Sequence, residues 1–277
     1  MKNLRVAYSG IKGAFAYIAA KRIYPEGEPV SFPSFSDAFE AVVKDECDVA
    51  VLPIENSYAG EVGQVMDLTF QGDLHIQKIF PLHIRQNLVG IKGADINSIK
   101  TVVSHAQALE QCRPYLKEHG FEKIEAVNTA VAAKKVAMDN DMSVAAIASR
   151  ETAELYGLEI IEPEINENKT NTTKFAVYSK KKPDPSEHEG GVVLELMFTV
   201  RHEAGALARA LYIIGEYGFN MEVIRSRPVK TKAWEYYFYI EAKGNADKVD
   251  TMMEDLTKRC AELKFVGITK DTEGADS

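Results

Sequence analysis

The chain has 277 residues, 45% hydrophobic and 27% charged, and its 33 Lys and Arg against 41 Asp and Glu leave a formal net charge of −8. That is globular composition with room for two domains, and it excludes disordered, collagen-like and coiled-coil classes. The negative field argues against nucleic acid or an anionic membrane as main partner, and no apolar run reaches the ~18 residues of a membrane span.

The opening residues lead straight into a strand, Leu4 to Tyr8, without a signal peptide's long apolar stretch. Cys47, Cys112 and Cys260 are odd in number and scattered, so no disulfide framework is expected and a cytoplasmic location is. The turn Ser9 to Gly13 precedes a helical pattern from Ala14 to Arg22. Ser36 can cap a helix carrying Ala38, Phe39, Val42 and Val43 on one face. Asp48 to Leu52 reads as a buried strand running into Pro53-Ile54-Glu55-Asn56-Ser57. A second set follows: strand Thr101 to Val103, helix Ala106 to Lys117, strand Ile124 to Val127, and a helix from Thr129 to Met138 with Asn128 as cap. Ser143 to Ile147 is a strand, Arg150 to Tyr156 a helix stopped by Gly157, and Lys174 to Ser179 the last strand. This alternation predicts an α/β domain over residues 1–180 with a largely parallel sheet.

Residues 181–191 mix opposite charges with Pro183, Pro185, Gly190 and Gly191 and carry no apolar side chain, the composition of a linker. Beyond it the pattern changes. Strand Val192 to Val200, helix Gly205 to Tyr217, strands Asn220 to Ile224 and Ala233 to Glu241, a mostly helical Ala246 to Leu263 and strand Phe265 to Ile268 give a β-α-β-β-α-β order. This is a ferredoxin-like module over residues 192–270, with a polar tail expected to fray.

In open α/β sheets ligands bind beyond the carboxyl ends of the strands. There the chain places Ser9 to Phe15, Pro53 to Gly60, Ser104 to Gln111 and Asn166 to Thr173, all rich in uncharged hydrogen-bonding side chains. An anion held there would need local positive potential, which backbone N–H groups after the glycine turn can offer. The six histidines and three cysteines show no HxxxH, HExxH or CxxC spacing, so neither a structural nor a catalytic zinc is expected. His105 and Cys112 read better as a satisfied histidine and a buried thiol than as a nucleophile pair.

These segments closely resemble the prephenate dehydratase family. Tyr8-Ser9-Gly10-Ile11-Lys12-Gly13-Ala14-Phe15-Ala16 looks like its G-P-x-G-T-F-S loop, and Pro53-Ile54-Glu55-Asn56-Ser57 matches its P-I-E-N-S motif. Ser104-His105-Ala106-Gln107 with Gln111-Cys112 is similar to its S-H-P-Q-x-x-x-Q-C helix start. Asn171-Thr172-Thr173-Lys174-Phe175 stands where the family has N-x-T-R-F. Ala14 and Ala16 stand for the family's Thr and Ser, Ala106 for Pro, and Lys174 for Arg. The C-terminal module resembles an ACT domain of the phenylalanine-sensing kind, with Gly205-Ala206-Leu207 at its G-A-L turn. Asn220 and Arg225-Ser226-Arg227-Pro228 stand at its effector strand, with Arg225 where an acidic residue is usual.

The resemblance implies a catalytic domain of two periplasmic-binding-protein-like lobes with crossings near residues 75–80 and 165. It also implies decarboxylating dehydration of prephenate to phenylpyruvate, a carbon–oxygen lyase reaction without cofactor, feedback by L-phenylalanine, and homodimers or homotetramers. Thr173 would aid the departing hydroxyl, with Asn56, Gln111 and Ser104 holding it and the substrate in register. Ser9, Gly13, Ala14, Phe15, Glu55, Ser57, His105, Thr172, Lys174 and Phe175 would bind substrate, Glu55 chiefly as an organiser between lobes. Gly205, Ala206, Leu207, Asn220, Arg225, Ser226 and Arg227 would bind phenylalanine. No chorismate mutase helices are expected ahead of residue 1. Arogenate as substrate, a catalytically silent aromatic-ligand sensor and a solute-binding protein are the alternatives; the missing signal peptide and the C-terminal module weigh against the last.

Overall fold

The computed structural model describes residues 4–232 and 234–271. By compactness the chain forms two units. One runs up to Val65 and resumes over Phe80–Phe175; the other comprises Met66–Ile79 and the chain from Ala176 onward.

The first unit has two lobes. In the first lobe, β1 (Arg5–Ser9), α1 (Phe15–Ile23), β2 (Glu28–Phe32), α2 (Phe35–Val43), β3 (Val49–Asn56) and β4 (Gly60–Glu61) follow in order. β1 lies parallel between β2 and β3, pairing Ala7 with Val30 on one side and with Ala50 on the other. Val6, Ala7 and Tyr8 are buried, as strands covered on both faces require. β4 folds back antiparallel on the end of β3, pairing Asn56 with Gly60.

α3 (Gly63–Gln71) and β5 (His75–His83) then lead toward the second lobe, which holds β6 (Asn87–Gly90), β7 (Thr101–Ser104), α4 (Ala106–Gln111) and α5 (Arg113–Glu118). It continues through β8 (Glu122–Glu125), α6 (Thr129–Asp139), β9 (Val144–Ala148), α7 (Arg150–Tyr156) and β10 (Glu159–Glu162). Its five strands run in the order β10-β6-β9-β7-β8. Helices cover both faces, one core gathering Leu109, Cys112 and Leu116, the other Ala132, Ala133 and Val136. The chain returns into β11 (Thr172–Ser179), the neighbour of β3.

The structure corrects several sequence-based expectations. The cap of α2 is Ser34: its Oγ accepts the Asp37 N–H at 3.1 Å, the Ser-x-x-Asp arrangement of a capping box, and Ser36 falls inside the first turn. Val43 is 43% exposed, so it lies off the buried face. The helix expected over 106–117 is two helices broken at Cys112 (φ −107°, ψ 10°). Pro114 has no N–H for the Glu110 carbonyl and its ring would press on it. Val127 leaves the strand and is exposed. The outward crossing between lobes lies at residues 84–86, beyond the expected 75–80, which belong to β5. There Ile84 N–H donates to Asn171 O, and Ile165 N–H, near the expected return at 165, donates to Gln86 O, each at 2.8 Å. Asn128 caps α6 and Gly157 ends α7 at φ 68°, both as the sequence indicates.

The second unit holds β12 (Gly191–Val200), α8 (Ala206–Glu216), β13 (Asn220–Pro228), β14 (Tyr236–Asn245), α9 (Val249–Thr257) and β15 (Cys260–Lys270), in the ferredoxin-like order β13-β14-β12-β15 with β5 beyond β15. Leu194, Leu196 and Phe198 of β12 share a core with Ile214 of α8 and with Met252 and Leu256 of α9. The helix expected to reach Leu263 stops at Thr257. An antiparallel ladder pairs Cys260 with Val200 and Leu263 with Phe198, so these residues are strand. In the 181–191 segment, residues Pro185–Glu187 form a 3-10 turn capped by Asp184. Of the tail expected to fray, residues 272–277 lie outside the described residues, as does Ala233, the expected start of β14.

Candidate active site

Between the two lobes of the first unit lies a cavity of about 380 Å³. Ser9, Ala14, Phe15, Asn56, Thr173 and Phe175 come to it from the first lobe; His105, Gln107, Gln111 and Asn128 come from the second. Among the described residues no Lys, Arg, Asp or Glu lines it.

Its organising side chain is Asn56, 7% exposed at the end of β3. The Asn56 Oδ1 accepts backbone N–H groups of Tyr58 and Ala59, each at 3.0 Å, and the amide of Gln107 at 3.4 Å. Those donors fix which end of the amide is oxygen, so Nδ2 must point the other way. It donates to Asn171 Oδ1 at 2.8 Å and to Thr173 Oγ1 at 2.9 Å. Because Thr173 receives a hydrogen bond from Asn56, its own hydroxyl proton is left to point elsewhere. Thr173 is 8% exposed and lines the cavity, which gives that proton an acceptor only if a ligand or solvent supplies one there.

Strand alternation decides which neighbours share this wall. Thr173 and Phe175 face the cavity; Thr172 and Lys174 do not line it. Lys174 Nζ instead lies 3.9 Å from Glu55 Oε2, and Glu55 likewise stands off the wall. Ser57 and Thr172 bind each other: Ser57 N–H donates to Thr172 O at 2.8 Å and Thr172 N–H to Ser57 Oγ at 2.9 Å. That clamp holds the β3–β11 end in register beside Asn56 without reaching the cavity.

Two further expected site residues lie elsewhere. Ser104 is fully buried and donates to the Ile147 carbonyl at 2.8 Å, a link between β7 and β9. Gly13, at φ 94°, gives its carbonyl to Thr152 Oγ1 at 2.6 Å; a Cβ there would come within 3.1 Å of Leu155. It is the contact of the first turn with α7. Ala14 and Phe15 do line the cavity, at the start of α1. The first N–H groups of that helix have no intrahelical acceptor, and Ala14 offers no side-chain cap.

On the opposite wall, His105 caps α4: its Nδ1 accepts the Gln107 N–H at 3.3 Å, which puts the ring proton on Nε2. Cys112 is fully buried, and burial pushes its thiol up to about 12, so it is no nucleophile. The sequence reading missed Gln86, Phe35, Val62 and Ile84 of the wall. Apolar wall residues carry no chemical signature, and Gln86 sits in a crossing segment that no motif marked.

The expected effector residues lie in the second unit. Gly205 precedes α8 at φ 77°, Ala206 is buried, and Leu207 packs on the core. Asn220 and Ser226 are exposed on β13, and Arg225 stands opposite Tyr239. Arg227 is engaged: its guanidinium donates to both oxygens of Asp67, at 3.1 and 3.3 Å, and Tyr237 Oη donates to the same carboxylate at 2.8 Å. Lys230 adds an ion pair at 2.9 Å. Burial alone would raise the Asp67 pKa, but hydrogen bonds from Arg227, Lys230 and Tyr237 outweigh it and hold the carboxyl below its ordinary value.

Comparison with known proteins gives this geometry a family. Residues 6–183 match the family model for prephenate dehydratase. The prephenate dehydratase of Methanocaldococcus jannaschii is 36% identical over 273 residues, which cover 96% of this chain and 97% of that one. A crystal structure of prephenate dehydratase from Arthrobacter aurescens in complex with L-Phe superposes with a TM-score of 0.88 at 25% identity, covering 98% of this chain and 91% of that one. A protein described as a novel type of quorum-quenching acylase has the same fold, with a TM-score of 0.87 at 25% identity and coverage of 98% and 99%. Extending along nearly the full length, and including the segments that build the Asn56–Thr173 wall, these matches establish that the chain belongs to the prephenate dehydratase family.

Proposed function

We propose that the cavity converts prephenate to phenylpyruvate, water and carbon dioxide in phenylalanine biosynthesis. The observation that carries this reading is the hydrogen bond from Asn56 to Thr173, which leaves the threonine proton for a ligand in the cavity. The ring carboxylate leaves as carbon dioxide, and its bonding pair enters the ring. The ring C–O bond breaks with its pair going to the hydroxyl oxygen. Hydroxide plus one proton gives water, so one proton is consumed per turnover and solvent must return it to the enzyme. Aromatisation drives the step; the leaving group is what needs help. An alcohol is a weak acid, so Thr173 contributes most late, when the oxygen is nearly hydroxide. Gln107 and Gln111, together with the N–H groups at the start of α1 that have no intrahelical acceptor, would hold the carboxylates by dipoles.

The C-terminal module serves in this reading as an ACT domain that takes phenylalanine at Gly205 to Leu207 and the β13 motif, in a homo-oligomer. Its β-α-β-β-α-β order and the L-Phe complex of the Arthrobacter relative support that assignment. Three free cysteines accord with a cytoplasmic setting, also part of the proposal. Purified protein mixed with prephenate should release phenylpyruvate and carbon dioxide in equal amounts, with turnover changed by saturating phenylalanine. Tight binding of prephenate without product would instead mark a ligand sensor.

A further inference from the structure

Asn171 is 1% exposed, immediately precedes β11 and does not line the cavity. Its carbonyl accepts the Ile84 N–H at 2.8 Å where the chain crosses between the lobes, which pins its backbone. Its side-chain Oδ1 accepts from Asn56 Nδ2 at 2.8 Å. The direction of that bond is fixed, because the Tyr58 and Ala59 N–H groups hold the Asn56 oxygen on the other side. So turned, the Asn171 Nδ2 has no hydrogen-bond partner among the described residues. What the position supplies is therefore an acceptor.

An amide nitrogen has two protons, and three acceptors surround that of Asn56: Asn171 Oδ1 at 2.8 Å, Thr173 Oγ1 at 2.9 Å and the Thr172 carbonyl at 3.3 Å. The two N–H bonds lie in one plane at a fixed angle, so a proton held on Asn171 sets the direction of the other, which goes to Thr173. Without the Asn171 oxygen the first N–H would be buried with no acceptor, and the nearest relief is for the amide to turn toward the Thr172 carbonyl. Thr173 would then lose the bond that leaves its own proton for a ligand.

We propose that Asn171 is a positioning residue of the reaction: by taking one amide proton of Asn56 it aims the other at Thr173, and so sets where the threonine hydroxyl points. The inference rests on the dehydratase reading and adds to it a residue that acts only through Asn56.

The test measures kcat and KM for prephenate in the intact protein, Asn171→Leu and Asn171→Asp, each alone and combined with Thr173→Val, with thermal melting to show that every variant is folded. Leucine keeps the bulk and removes the acceptor, so kcat should fall roughly tenfold or more while KM stays within about threefold. In the Thr173→Val background the same change should alter kcat by less than about threefold, since the hydroxyl it positions is gone. Aspartate keeps an acceptor facing Asn56 and gives up only the unpartnered Nδ2, so its kcat should exceed that of the leucine variant roughly fivefold or more. If Asn171→Leu does not fold, Asn171→Ser, whose hydroxyl ends short of Asn56, replaces it under the same criteria. A folded variant lacking the acceptor with kcat within about threefold of the parent overturns the proposal. An equal loss in the Thr173→Val background, or an aspartate variant as slow as the leucine one, overturns it too, since either would mark a role in packing alone. Should the parent protein turn over no prephenate, the dehydratase reading fails and this role with it; turnover that the variants leave unchanged removes only the role of Asn171.

Discussion

An asparagine amide and an aspartate carboxylate have nearly the same shape, yet at position 56 they would do opposite things. The Asn56 Nδ2 donates to Thr173, so the threonine proton is available to a ligand. In Asn56→Asp the carboxylate could only accept, and Thr173 would spend its proton on it. We therefore expect kcat to fall about 10²-fold or more, with no further large loss when Thr173→Val is added, because both changes remove the same proton. Additive losses in that double-mutant cycle would show that the two residues act separately. The motifs pointed to Asn56, Thr173 and Gln111, and those three side chains do line the cavity. They pointed equally to Ser104 and Gly13, whose motif positions serve the Ile147 carbonyl and the α7 contact instead. Short motifs record which residues a fold needs together; whether each faces a ligand or a neighbouring strand is decided by partners distant in sequence.

At the scale of elements, periodic segments were legible and terminations were less so. β1, α6 and α7 appear within a residue or so of where apolar spacing puts them. The break at Cys112 was written in Pro114, but the apolar stripe ran across it and masked it. β2, β4, β6 and β10 escaped because short strands with mixed patterning gain their stability from neighbours, and the nine-residue β5 went unread as well. Asp67 on α3 shows the same dependence: its partners Arg227, Lys230 and Tyr237 lie some 160 residues or more further along the chain. Since its folded pKa lies below the ordinary value, the cluster stabilises the fold fully above that ordinary value. The contribution is lost as pH falls through the folded pKa. Asp67→Asn should cost about 1–3 kcal/mol at neutral pH and flatten the acid limb of the stability curve. An acid limb identical to that of the parent protein in chemical denaturation from pH 7 to pH 2 would show that the carboxylate is not what titrates.

For the molecule as a whole, the composition defined a problem for the site. A chain of net charge −8 that takes a dianion needs local positive potential at the binding point; the sequence points to backbone N–H groups for it, and Lys174 is the one Lys or Arg among the expected substrate-binding residues. Strand alternation turns Lys174 off the wall toward Glu55, leaving amides, hydroxyls and a histidine. Long-range repulsion is then not offset inside the cavity. Raising ionic strength from about 10 mM to 150 mM should therefore increase kcat/KM for prephenate by screening the approach of like charges. A steep decrease with salt would mean that cations outside this wall capture the substrate.

The proposed chemistry turns on what the Thr173 hydroxyl does, which steady-state kinetics of Thr173→Val with prephenate measures. Valine keeps the shape of threonine and removes its one O–H. We expect kcat to drop roughly 10²–10⁴-fold while KM stays within a few-fold of the parent value. Turnover close to that of the parent protein would contradict the account, because the proton would then come from some other group.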